Sequence, residues 1–89
     1  MPRGMTSFKN RVRRLLSCPP EMDYDEVKAI LEHFDFRRDR EKGSHCVYRH
    51  EDGRKIGFPR TGGRSIKKHY LIEIAGILRL EEWLDEQSQ

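Results

Sequence analysis

The stretch Lys42-Gly43-Ser44-His45-Cys46-Val47-Tyr48-Arg49-His50-Glu51-Asp52-Gly53-Arg54-Lys55-Ile56-Gly57-Phe58-Pro59 decides the fold of this chain. Two strand-like runs, His45 to His50 and Arg54 to Pro59, flank Asp52-Gly53, a pair that supplies the positive backbone angles of a tight hairpin. A two-residue turn there predicts that Val47 faces Phe58 and Arg49 faces Ile56. Side chains alternate along a strand, so His45 is expected on the same side as Val47, at the strand's start and therefore at the rim of the sheet.

Upstream, Phe36 to Lys42 reads as a polar edge strand ending at Gly43, where glycine lets the chain bend tightly. Before it, Val27, Ile30, Leu31 and Phe34 recur at helical spacing, with Asp23 as the cap and Glu26 completing a capping-box-like pattern. Cys18-Pro19-Pro20 separates this helix from an earlier one, Thr6 to Ser17, whose Phe8, Val12, Leu15 and Leu16 oppose Lys9, Arg11, Arg13 and Arg14.

Downstream, Arg60 to Arg64 is a Gly-containing loop. Ile66, Tyr70, Leu71, Ile74 and Leu78 then predict a second main helix, capped by Ser65 and ended or loosened at Gly76. Leu80, Trp83 and Leu84, set among Glu81, Glu82, Asp85 and Glu86, predict a last short helix that packs on the basic first one. The expected class is α+β, with helices on one face of a three-stranded antiparallel sheet. Residues 1–20 are expected to form a basic amphipathic helix and Pro-Pro linker, 21–78 the αβββα domain, and 79–89 an acidic helical tail.

The 89 residues suffice for one small domain. Lys and Arg number 18 against 15 Asp and Glu, a net charge of only +3, but the excess collects between Arg37 and Lys68. That distribution is the footprint of a polyanion partner, or else a solvated face. Cys18 and Cys46 lack metal-ligand or disulfide-scaffold spacing, which suits a reduced, cytoplasmic setting. No apolar run approaches a membrane span, and the basic start is not followed by a signal-peptide core.

Gly43-Ser44-His45 at a strand entrance, Tyr48-Arg49-His50 before the Asp52-Gly53 turn, and a strand closing on Pro59 occur here in an order that resembles the HicA family. Its members are small toxins of bacterial and archaeal toxin–antitoxin pairs that cleave messenger RNA. The resemblance runs from about Asp23 to Leu78. It departs where the family often carries a histidine after the closing proline, since this chain has Arg60-Thr61-Gly62-Gly63. The resemblance implies the fold of double-stranded-RNA-binding domains, which read phosphates and shape more than sequence. It also implies His45 as the catalytic residue, messenger RNA as substrate, and a HicB-type antitoxin partner with which the chain forms an oligomeric complex.

The chemistry suits an imidazole, which titrates near neutrality and so takes a proton from a ribose 2′-hydroxyl or gives one to the leaving 5′-oxygen. Such a reaction calls for no metal or cofactor. Lys42, Lys67 and Lys68, with Arg60, are the expected phosphate-binding cations. Ser44 serves either phosphate or the turn, and His69 lies where a helix start favours anions. Gly43 and Gly53 are turn residues. His50, beside the hairpin turn, is expected to be exposed and inert; Tyr48 and Tyr70 suit the core better than base stacking. Two alternatives stand: a non-catalytic RNA-binding module, which has no need of an imidazole at position 45, and an interaction protein whose charges only confer solubility.

Overall fold

The computed structural model describes residues 4–87. In chain order they form α1 (Gly4–Leu16), β1 (Glu21–Asp23), α2 (Tyr24–His33), β2 (Arg37–Lys42), β3 (His45–Arg49), β4 (Lys55–Pro59), β5 (Ser65–Lys67), α3 (Lys68–Leu78) and α4 (Leu80–Gln87). The central sheet runs β2-β3-β4, antiparallel throughout, while β1 pairs with β5 in a separate two-stranded ladder. The expected αβββα core is present, with a helix added at each end.

One core joins these parts. Val27, Ile30 and Leu31 of α2 and Leu71, Ile74 and Leu78 of α3 pack with Cys46, Tyr48, Ile56 and Phe58 from the sheet. Phe8, Val12 and Leu15 of α1 enter the same cluster. The terminal helices meet as their stripes predict, with Phe8 edge-on to Trp83 at 5.4 Å and Lys9 Nζ donating to the Gln87 carbonyl at 3.4 Å. Among the described residues, no helix is long and apolar enough to cross a membrane.

Several expectations are corrected. The hairpin turn is one residue longer than Asp52-Gly53 alone: the His50 amide donates to the Arg54 carbonyl and the Gly53 amide to the His50 carbonyl, leaving Glu51, Asp52 and Gly53 in the loop. Gly53 adopts φ 100°, the positive angle that closes such three-residue loops. The register therefore slips by one. Val47 faces Gly57, Tyr48 faces Ile56 and Arg49 faces Lys55.

Ser65 does not cap a helix, and Ile66 does not begin one. Ser65–Lys67 is β5, whose Ile66 pairs with Met22 of β1, and α3 starts only at Lys68 with Lys67 as its cap. Both residues are single buried apolar side chains in three-residue strands, too short to show a period of their own. Gly76 lies within α3. The helix instead ends where Arg79 turns left-handed at φ 55°. At the start of α2, the Asp23 carboxylate accepts from the Asp25 amide at 3.1 Å, whereas Glu26 turns away to Arg14, 2.8 Å distant, and leaves the capping box unmade.

Candidate active site

The β2–β3 connection is the shortest path between two strands. Gly43 takes φ 60°, a left-handed angle costly for other residues, and with Ser44 it lets Lys42 lie directly opposite His45. The Arg60 amide donates to the Ser44 carbonyl at 2.7 Å, which ties this turn to the end of β4.

Alternation then sets where His45 points. Cys46 and Tyr48 are fully buried, so His45 and Val47 belong to the opposite, outer face. His45 is exposed, and across the ladder it faces Pro59. Its ring lies over Gly57, two residues before Pro59 on the same face: a Cβ built at Gly57 would stand 3.5 Å from His45 Nε2. Among the described residues, no hydrogen bond or ion pair engages the imidazole. Gly57 thus keeps the space beside Nε2 open, a role the sequence reading missed. A glycine inside a strand was the available signal, since it often marks a close approach.

On the inner side, a pair of hydroxyls ties β3 to the start of α2. Burial and the hydrogen bond shared with Tyr24, whose hydroxyl lies 2.7 Å from that of Tyr48, push the Tyr48 hydroxyl well above its ordinary pKa. Tyr48 therefore belongs to the core and does not offer a stacking surface. Arg60 sits over the Tyr24 ring at 4.8 Å and pairs with Glu41. Its guanidinium is already engaged, and its Nε is buried without a partner among the described residues.

The expected phosphate ligands divide into two places. Lys42, Ser44 and His45 share one tight turn, with Arg60 one hydrogen bond away. Lys67, Lys68 and His69 belong to the β1–β5 ladder and the start of α3. There Lys67 Nζ is bonded to Glu21 at 2.7 Å, and Lys67 holds the Glu21 carboxyl below its ordinary range by hydrogen bond and charge. Lys68 is exposed, and the His69 ring stacks on Tyr70 at 4.0 Å.

His50 is not the exposed residue expected. Its side chain is 17% exposed, its Nδ1 lies 3.0 Å from both the amide and the carboxylate of Asp52, and its ring rests 5.2 Å from that of Phe36. It organises the hairpin turn together with Arg54, whose backbone amide, bonded to Asp52, is the main cause of the lowered Asp52 pKa.

The family model described as HicA toxin of bacterial toxin-antitoxin matches residues 24–80, well over half of the chain. No curated protein and no solved structure gives a significant match.

Proposed function

The chain belongs to the HicA toxin family of bacterial toxin–antitoxin systems, and from that premise we propose that it is an endoribonuclease that cleaves messenger RNA with His45 as general acid–base. The observation that carries this reading is the exposed imidazole at the sheet margin, with open space beside Nε2 and Lys42 directly across the ladder.

The 2′-hydroxyl attacks the adjacent phosphorus, forming a P–O bond as the bond to the 5′-oxygen breaks. His45 takes the 2′ proton or supplies one to the departing oxygen, a form of help that typically contributes about 10²–10⁴-fold. Lys42 stabilises the charge that gathers on the phosphate. The products are a cyclic phosphate and a free 5′-hydroxyl, and no step of this transfer needs a metal ion. A family of toxin–antitoxin pairs implies an antitoxin partner; a HicB-type protein covering His45 in the cytoplasm neutralises the enzyme by occlusion.

The test compares the protein with its His45→Ala variant on end-labelled RNA in the presence of chelator, with analysis of the product ends. Because His45 is exposed, the variant keeps its fold. Lost cleavage with retained RNA binding is the expected result, whereas equal cleavage by both proteins removes the assignment.

A further inference from the structure

Residues directly opposite each other in an antiparallel pair point to the same side, so the register sorts the central sheet into two faces. Cys46, Tyr48, Ile56 and Phe58 mark the buried one. The other carries Arg37, Arg40 and Lys42 from β2, Arg49 from β3 and Lys55 from β4, all exposed, with His45 at one end. A bulge between Arg38 and Arg40 sets this composition, because it turns Arg38 inward to Glu41 at 2.8 Å and brings Arg37 outward opposite Arg49.

The balance of charge separates this face from the other basic region. Near α3, Lys67 is paired with Glu21, and Arg64 lies 3.2 Å from Asp23 and 3.9 Å from Asp25, so that of Arg64, Lys67 and Lys68 only Lys68 has no ion-pair partner among the described residues. On the sheet face, Arg49 is held by Asp39 at 3.1 Å and Arg37 lies 3.8 Å from Asp35. Arg40, Lys42 and Lys55 have no ion-pair partner among the described residues. Uncompensated positive charge therefore gathers on the same surface as the imidazole.

The middle row of that surface is low, since Gly57 contributes no side chain beside Val47. At the usual strand rise and spacing, the strip from the His45 row to the Arg49 row is about 13 Å long and about 10 Å wide. That accommodates one nucleic-acid backbone, whereas duplex readers span successive grooves over about 16 base pairs.

We propose that a single RNA strand lies along this open sheet face, with its phosphates on Arg40, Lys42 and Lys55 and its cleaved linkage at His45. This surface rests on the RNA reading above. It assigns binding to Arg40 and Lys55, and it runs the strand across the sheet instead of over the start of α3.

The full chain carrying His45→Ala, to prevent cleavage, is titrated into fluorescein-labelled single-stranded RNA over a salt series. Each lost contact lowers the log–log salt slope by about 0.7, which is about fivefold in affinity per decade of salt. Adding Arg40→Ala and Lys55→Ala should therefore weaken binding about 25-fold at 0.1 M salt and reduce the slope by about 1.4. It should cost more than adding Lys67→Ala and Lys68→Ala. Circular dichroism confirms that each variant is folded. No binding by the parent at low salt ends the RNA reading itself. Parent binding that survives loss of Arg40 and Lys55 keeps that reading but overturns this surface, leaving the face to a protein partner; a parent preference for duplex RNA overturns it as well.

Discussion

A valine at position 57 intrudes on the space beside the His45 ring. A Cβ there stands 3.5 Å from His45 Nε2, 3.7 Å from the Cys46 carbonyl oxygen and 3.8 Å from Val47 Cγ2, all ordinary contact distances. Alanine therefore fits without displacing its neighbours. Each valine γ-carbon lies about 1.5 Å further out, so one directed at the imidazole forces the ring off its seat. The backbone poses no obstacle, because Gly57 is not among the positive-φ glycines and β-branched residues suit a strand. Glycine within a strand costs about 0.5–1 kcal/mol relative to alanine. Stability should thus hold or rise by about that much, worth about 4–8 °C of Tm per kcal/mol in a domain of this size. Cleavage should move the other way, falling towards the His45→Ala level by as much as about 10²–10⁴-fold. Initial rates on labelled RNA and thermal unfolding, measured for the parent, Gly57→Ala and Gly57→Val, give both quantities. A folded Gly57→Val protein that cleaves at the parent rate refutes the reasoning, as does Gly57→Ala if it is equally damaging.

The tyrosine pair predicts an asymmetric cycle. Tyr24→Phe leaves the fully buried Tyr48 hydroxyl without its partner and should cost about 1–3 kcal/mol, while the double Tyr24→Phe/Tyr48→Phe variant should recover part of that loss; simple additivity in urea unfolding contradicts it. Leu15→Ala should lower stability by about 2–5 kcal/mol, since Leu15 lies wholly inside the shared core. A cost below about 1 kcal/mol, read from the urea midpoint, shows α1 to be dispensable. In acid, the lowered Glu21 and Asp52 carboxyls contribute stability that is present above their ordinary values of 4.5 and 3.8 and is lost as pH falls through the depressed ones. Lys67→Ala should flatten the Glu21 part of that acid limb, and an unchanged limb in pH-dependent unfolding counts against the pairing.

The longer periodic stretches were legible from composition and spacing. Val27, Ile30 and Leu31 announce α2, and the position of His45 at the start of its strand places it at a rim. Its face followed only from the observed register, because the expected pairing set Val47, and with it His45, on the side of the buried Phe58. What escaped depends on partners remote in the chain. Met22 and Ile66 look like isolated apolar residues until β1 meets β5. The hairpin register turned on whether Glu51 joins the loop, a choice that the dipeptide Asp52-Gly53 does not settle. The importance of Gly57 followed from that register, because only the observed pairing sets it beside the imidazole. Arg60 reads as a free cation in sequence, yet Glu41 and Tyr24 claim it in space.

One of the two edge strands, Arg37–Lys42, has a bearing on how copies of this chain meet. All six of its side chains are charged and exposed, and its ladder is interrupted at Asp39. An unpaired strand margin is a template on which a neighbouring molecule can extend the sheet, leading towards fibrils. Mixed charges and a kink withhold that template here. On this edge, the sheet can therefore leave its basic face open to solvent without the strand itself serving as a seam for another copy.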